Sequence, residues 1–261
     1  MDNLHLFKEV SLLITHYNRS ESLERLLHNL NQQQFVFGEI IVSDDASNPV
    51  HQTRLKTLQK EYAFKLISTA DNKGLGNNIN KGQDAVTKPY TLYIQEDFVP
   101  ISGFALHFAD ALQIMQSNLN LDLIRFYAYF AYPDLKPYQK GFSEMVFRRR
   151  TINHLKFYCY SDHPHLRRSS FFEKFGRFPE GIKGDLTEYK MAVSFIKNKG
   201  KGLFYNQFNT LFEQRNSSAE PSTIKRSNWR QSKSFLILMA RAVYLKYKLV
   251  KGHVDLLLAK T

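Results

Sequence analysis

Val10-Ser-Leu-Leu-Ile-Thr-His-Tyr-Asn-Arg19 is a short apolar run that ends abruptly in polar residues. Glu39-Ile-Ile-Val-Ser-Asp-Asp45 and Tyr90-Thr-Leu-Tyr-Ile-Gln-Glu-Asp97 repeat this pattern, which is typical of buried parallel strands. Leucines spaced three and four residues apart over Leu23–Leu30 predict an amphipathic helix between the first two strands, with Ser20 as its cap. Alternating strands and helices predict an α/β fold, a Rossmann-like and mostly parallel central sheet flanked by helices.

Polar residues collect where three of these strands end, at Thr15–Asn18, Asp44-Asp45 and Glu96-Asp97. In open parallel sheets the ligand binds outside the carboxyl ends of the strands. Carboxylates there could bind Mg²⁺ or Mn²⁺ or accept hydrogen bonds from a nucleoside. Taken alone, Glu96-Asp97 would more often cap a helix or solvate a loop, and Asp44-Asp45 would fit a solvated turn as well as a ligand site. Their occurrence together at neighbouring strand ends favours a site.

A further strand is predicted over Phe64–Ser68, which makes the strand at Tyr90 the fourth. Between these two strands a glycine- and asparagine-rich segment, Asn72-Lys-Gly-Leu-Gly-Asn-Asn-Ile-Asn-Lys-Gly82, opens a helix. It is not a dinucleotide fingerprint, because Ile79 stands where the third glycine is required. Nor is it a P-loop, since neither Lys-Ser nor Lys-Thr follows Gly82. Its free backbone N–H groups, with Lys73 and Lys81, would suit an anion.

Taken together, these four stretches resemble glycosyltransferase family 2, whose fold is called GT-A, and the resemblance covers roughly residues 8–100. It implies an inverting transfer of a sugar from a nucleoside diphosphate sugar to an acceptor hydroxyl, assisted by Mn²⁺ or Mg²⁺. A UDP donor is expected in preference to a GDP donor, and the expected acceptor is a saccharide or a lipid-linked saccharide.

The resemblance also implies site residues. Asp97 and Glu96 take the place of the family's metal-binding acids, although Gln95 and Glu96 stand where an aspartate is more usual, so Asp97 is the principal expected ligand. The implied nucleotide-binding residues are Thr15, Tyr17, Asn18, Arg19, Asp44, Asp45, Lys73, Gly74, Asn80 and Glu96.

The family's catalytic base is an acid in the second half of the chain. Thr187-Glu-Tyr-Lys-Met191 resembles that motif, with Glu188 in the place of the base. Asp185, which follows a glycine, is the competing base, and in that case Glu188 is a first-turn acid of the helix predicted over Leu186–Ile196.

The net charge of +12 is concentrated near the end of the chain, because residues 225–261 hold nine Lys and Arg and one acid, Asp255. That segment carries a net charge of +8 and leaves +4 for the rest of the chain.

We therefore expect a GT-A domain over 1–220, with a nucleotide-sugar half (1–100) and an acceptor half (101–220), and a basic amphipathic helical tail over 221–261. An apolar stripe from Phe235 to Leu249 makes an anionic membrane surface an expected partner of residues 225–261. The single cysteine and the lack of a secretory-signal pattern favour a cytoplasmic protein, and the stripe would place it on the inner face of the membrane. The alternative is that the stripe packs on the globular body.

Two other function classes fit the sequence less well. A sugar-phosphate nucleotidyltransferase usually has a glycine-rich basic loop after the first strand, whereas Asn18-Arg-Ser-Glu-Ser22 has no glycine. A nucleic-acid-binding protein would explain the charge, but no nucleic-acid motif is present, so nucleic acid is not an expected partner. The single cysteine, Cys159, excludes an intramolecular disulfide and a Cys-based zinc site.

Overall fold

The computed structural model describes residues 4–216, 220 and 234–259. Its first half is the predicted parallel unit, with strands in the order β3-β2-β1-β4. Each predicted apolar run lies within one of these strands. The elements of this half are β1 (His5–His16), α1 (Ser20–Gln32), β2 (Phe35–Asp44), α2 (Pro49–Tyr62), β3 (Lys65–Ser68), α3 (Gly74–Asp84) and β4 (Tyr90–Gln95).

The second half extends the same sheet, but with mixed strand directions. β9 lies antiparallel between β4 and β6, and β10, β8 and β7 follow, while β5 and β11 form a separate two-stranded sheet. The elements are β5 (Phe98–Pro100), α4 (Phe104–Ser117), β6 (Leu123–Arg125), β7 (Leu135–Pro137), β8 (Phe142–Met145), a 3₁₀ helix (His154–Phe157), β9 (His165–Arg168), α5 (Phe171–Phe175), α6 (Gly184–Lys197), β10 (Gly202–Tyr205), β11 (Phe212–Gln214) and α7 (Phe235–Leu258).

Alternation along β1 divides the core between the two faces of the sheet. Leu12 and Ile14 belong to one buried cluster, whereas Leu13 belongs to another. The leucine stripe of α1 is buried in the first cluster, as its spacing predicts. Helices therefore cover both faces and leave the strand ends as the open edge of the sheet.

The glycines of α3 allow close packing. A Cβ at Gly76 would lie 2.3 Å from the carbonyl oxygen of Pro179, and one at Gly82 would lie 2.6 Å from Cδ1 of Leu13. Only glycine fits at these two positions without displacing a neighbour. The helix is thus held against both the sheet and the loop that precedes α6.

Two local predictions are wrong. The apolar stretch Leu121–Phe130 predicts one long strand, but the strand is confined to Leu123–Arg125. Phe126 is opposite Pro164 in the register of β6 and β9 and donates to its carbonyl, but Pro164 has no N–H to donate in return, so the ladder ends there. Ser20 is not the cap of α1 but its first residue, and Arg19 is at the cap position. Two of the free N–H groups at the start of this helix, those of Glu21 and Ser22, are instead bound by the carboxylate of Glu220.

Helix α7 packs against α6 and the 3₁₀ helix. Lys248 Nζ donates to the Tyr158 hydroxyl at 3.1 Å, and the Tyr189 hydroxyl donates to Asp255 at 2.7 Å. In the described residues no helix is long and apolar enough to cross a membrane. Residues 221–233, with four of the nine basic residues, lie outside the described part, so a single basic tail over 221–261 stays a prediction.

Candidate active site

The strand ends meet as predicted. Thr15 pairs in register with Ser43 of β2 on one side and with Gln95 of β4 on the other. The loops that begin at His16, Asp44 and Gln95 are therefore neighbours on one edge of the sheet. The Thr15 side chain is buried, with its hydroxyl 2.9 Å from that of Tyr93, whereas Tyr17 is partly exposed.

Asp44 ties two of these loops together. Its buried carboxylate lies 2.8 Å from His16 Nδ1 and accepts a hydrogen bond of 2.5 Å from the Ser47 hydroxyl. Burial alone would raise the pKa of Asp44, but the hydrogen bonds from His16 and Ser47 outweigh it and lower this pKa. Asn18 adds a second tie, because its N–H donates to Ser47 Oγ at 2.8 Å and its side chain accepts from the N–H of Asn48 at 2.7 Å.

The side chain of Asp45, which follows β2, binds the N-terminus of α3. One carboxylate oxygen accepts the N–H of Lys73 and the other accepts the N–H of Gly74, both at 2.8 Å. Asn80, farther along this helix, clamps the loop before α6 through the backbone of Phe178 and the carboxylate of Glu180. These contacts hold the glycine-rich segment in place, and the nucleotide-binding roles of Asp45, Lys73, Gly74 and Asn80 stay predictions.

The acid pair after β4 is buried beside one guanidinium. Arg19 Nη1 lies 3.2 Å from Asp97 Oδ2 and 3.5 Å from Glu96 Oε1. Burial, reinforced by the charge of Asp97, raises the pKa of Glu96 to about 8, with Arg19 acting in the opposite direction. At neutral pH Glu96 is therefore largely protonated, and Asp97 has the stronger claim to act as an anionic ligand.

Asp97 has capacity for a further partner. Its Oδ2 accepts from Gln214 Nε2 at 2.9 Å, and its carbonyl accepts the N–H of Arg215 at 2.8 Å. Its Oδ1 is buried and has no hydrogen-bond partner among the described residues. Such an oxygen fits a hard divalent cation. Within the same described part, no three His, Cys, Asp or Glu side chains are grouped to hold an ion by themselves, so an ion here would need ligands from a bound substrate or water.

A second acid pair lies at the same edge. The N–H of Asp162 donates to Glu188 Oε1 at 3.2 Å, and Gln95 Nε2 donates to the Asp162 carboxylate at 2.9 Å. Burial, and then the charge of Asp162, raises the pKa of Glu188 well above its ordinary value, while Arg125 opposes the rise. The sequence predicts Glu188 but misses Asp162, which the hydrogen bond from Gln95 connects to the strand that carries Glu96-Asp97.

Asp185, the competing base, does not belong to the pair of Asp162 and Glu188. It is exposed in the first turn of α6 and lines an open cleft of about 140 Å³ between the 3₁₀ helix, α6 and α7. Tyr158, Tyr189 and Lys248 line the same cleft. The two candidate bases therefore have different surroundings, a carboxyl pair for Glu188 and a partly aromatic cleft for Asp185.

The sequence profile described as "Glycosyl transferase family 2" matches residues 11–175, which is more than half of the chain. The chain belongs to glycosyl transferase family 2. The match includes the second half of β1, Asp44-Asp45, Glu96-Asp97 and Asp162, and it ends before Glu188. It favours a glycosyltransferase over the nucleotidyltransferase and nucleic-acid-binding alternatives.

Among curated proteins, the poly-beta-1,6-N-acetyl-D-glucosamine synthase of Staphylococcus epidermidis is 26% identical over 90 residues, or 34% of this chain and 22% of that protein. Among solved structures, S. aureus TarS 1–349 in complex with UDP-GlcNAc superimposes with a TM-score of 0.59 at 15% identity, over 90% of this chain and 65% of that one. A mannosyltransferase of Pyrobaculum calidifontis in complex with GDP-Man and Mn²⁺ gives 0.56 at 12%, over 96% of this chain and 70% of that one. These likenesses establish the GT-A fold. The chain spans less than a quarter of the curated synthase and under two thirds of the TarS fragment.

Proposed function

We propose that this glycosyltransferase moves a sugar, with inversion, from a nucleoside diphosphate sugar to a hydroxyl of a saccharide or a lipid-linked saccharide. The observation that carries the proposal is the convergence of two acid pairs on one sheet edge, Glu96-Asp97 beside Arg19 and Asp162 beside Glu188. One pair would serve the leaving diphosphate and the other the attacking hydroxyl. We assign the protein to the cytoplasm as part of the same proposal.

On the donor side, we assign the nucleoside to the loops of Thr15, Tyr17, Asn18 and the Asp44-Asp45 pair. Arg19 is positioned to offset negative charge near Asp97. Asp97, through its unpartnered oxygen, and Glu96, once deprotonated, would hold Mn²⁺ or Mg²⁺. When bound, such an ion neutralises charge that develops on the leaving diphosphate.

A UDP donor is preferred to a GDP donor. TarS was solved with UDP-GlcNAc and with UDP, and the curated relative makes a polymer of N-acetylglucosamine. The mannosyltransferase, which resembles this chain over a similar length, was solved with GDP-Man, so a GDP sugar is the second candidate.

On the acceptor side, Glu188 would take the proton of the attacking hydroxyl. A general base works best when its pKa lies near the working pH, and an ordinary glutamate is too weak for this purpose. The raised pKa of Glu188 therefore suits the role, since burial and Asp162 make its carboxylate more basic. Asp162 would position Glu188 through its N–H, and Arg125 would prevent the pKa from rising further.

The experiment is a thermal-shift screen of UDP, GDP and their sugars, each with and without Mn²⁺, followed by a turnover assay of any sugar that binds. Ligands that bind the folded state raise its melting temperature by mass action. We expect a Mn²⁺-dependent shift with a UDP sugar and slow release of UDP. A protein that no nucleotide stabilises under any of these conditions would contradict the proposal.

A further inference from the structure

Helix α7 presents an apolar stripe to solvent. The stripe consists of residues three and four positions apart, whose exposed fractions range from 44% to 75%: Met239, Val243, Tyr247, Val250, Val254 and Leu257. This spacing keeps them on one side of an α-helix, over a length of about 27 Å at 1.5 Å per residue. Nine of the twenty large exposed apolar residues of the described chain lie on this one helix.

The opposite side of α7 is fixed to the body. A Cβ on Gly252 would lie 2.4 Å from the ring of Phe157, so the backbone sits directly on that ring. Asp255 and Lys248 bond the hydroxyls of Tyr189 and Tyr158 from the same side. The predicted stripe from Phe235 to Leu249 is thereby divided, since Leu245 and Leu249 turn partly inward while Met239 and Val243 stay exposed.

Cations lie on α7 and beside it. Lys246 is exposed at the edge of the stripe, whereas Lys190 of α6 is exposed beside the body-facing side of α7, where its charge lowers the pKa of Asp255. Arg149 belongs to the exposed run Arg148–Arg150, and its charge reaches His253 of α7. In the described part of α7 itself, four Lys and Arg stand against one acid, Asp255.

This pattern distinguishes between two occupants. A second copy of the chain would bring two sets of these cations together, which electrostatic repulsion opposes. Anionic lipid instead attracts the cations while its acyl boundary accepts the apolar stripe, as it does for interfacial helices. The charge complementarity therefore favours a bilayer surface.

We infer that α7 lies flat in the interface of an anionic membrane, with the stripe from Met239 to Leu257 inserted and Lys246 and Arg149 at the headgroups. The inference concerns only the surface of α7 and does not depend on the proposed reaction. Combined with that reaction, it would bring the sheet edge to an acceptor anchored in lipid.

The test is flotation of the full chain with vesicles of phosphatidylcholine, with and without phosphatidylglycerol. We expect binding only to the anionic vesicles, a loss of at least about tenfold for the double variant Val243→Asp/Val250→Asp, and a weaker dependence on salt for Lys246→Gln. Val50→Asp is the matched control, because Val50 is 77% exposed on α2, and it should float like the wild type.

Three outcomes would overturn the inference: no flotation of the wild type, equal flotation of the double variant, or a concentration-dependent dimer that the double variant abolishes without any vesicle binding. Both charged residues would be added to an exposed face, so the melting temperature should stay close to that of the wild type. Nucleotide binding measured in solution separates this question from the reaction, because the double variant should bind nucleotide like the wild type.

Discussion

Replacing Glu96 with Gln should remove part of the pH dependence of stability. Burial, and then the charge of Asp97, raises the pKa of Glu96 from 4.5 to about 8 in the folded protein. The folded state therefore binds this proton more tightly than the unfolded chain does. The resulting stabilisation is fully present below about pH 4.5 and is lost as the pH rises towards about 8.

The size of the effect follows from the shift. Across this window the wild type loses about 1.4 kcal/mol of unfolding free energy per pH unit from this one group. Between about pH 5.5 and pH 7.5 the loss is about 2.7 kcal/mol, which corresponds to about 5 to 10 °C in melting temperature for a chain of this size. Gln resembles the protonated form, so Glu96→Gln should not lose this amount.

The assay is thermal unfolding at the two pH values in metal-free buffer, for the wild type, Glu96→Gln and a control, Glu173→Gln. Glu173 is exposed on α5, so its substitution should leave the pH dependence of the wild type unchanged. We expect the advantage of Glu96→Gln over the wild type to grow as the pH rises. The same change in melting temperature between the two pH values in all three proteins would refute the idea that Glu96 is buried as a largely neutral acid.

The other predictions concern the second acid pair and the packing of α3. Glu188→Gln should reduce the rate of transfer by about 10² to 10⁴-fold, because it removes the base, but it should still bind UDP in a titration. Asp185→Asn should transfer sugar within a few fold of the wild-type rate, and the reverse ranking would make Asp185 the base. Asp162→Asn should lower the pKa of Glu188 by removing a neighbouring charge, so the acidic limb of the pH–rate profile should move to lower pH. An acidic limb at the wild-type position would exclude electrostatic coupling between the two acids. Gly76→Ala should cost about 1 to 3 kcal/mol in a denaturant melt, because its methyl group meets the carbonyl of Pro179, and an unchanged melt would show that this contact relaxes freely.

The parallel half of the fold could be predicted because its signals are local. Apolar runs ending at Thr15, Asp44 and Gln95 define three strands, and parallel pairing brings their ends together without further information. Asp162 could not be found in this way. It precedes β9, and only an antiparallel β9 places the beginning of that strand at the edge where β4 ends, a direction that no short pattern in the sequence specifies.

The same distinction applies to helix ends and to α7. The cap of α1 by Glu220 depends on a contact between positions about 200 residues apart, so a rule based on neighbouring residues favoured Ser20 instead. In α7 the spacing of apolar residues is visible in the sequence, but they surround much of the helix. Packing of Gly252 against Phe157 decides which side turns inward.

The proposed donor site is the edge formed by β1, β2 and β4, where a nucleoside diphosphate sugar binds with a divalent ion at Asp97. Its most direct test is calorimetric titration of UDP, and then GDP, into the wild type and Asp97→Ala, each with Mn²⁺ and with EDTA. We expect binding to the wild type that requires Mn²⁺, and in Asp97→Ala the loss of that requirement together with most of the affinity. Equal, metal-independent binding by the two proteins, or no binding of either nucleotide to the wild type, would contradict it.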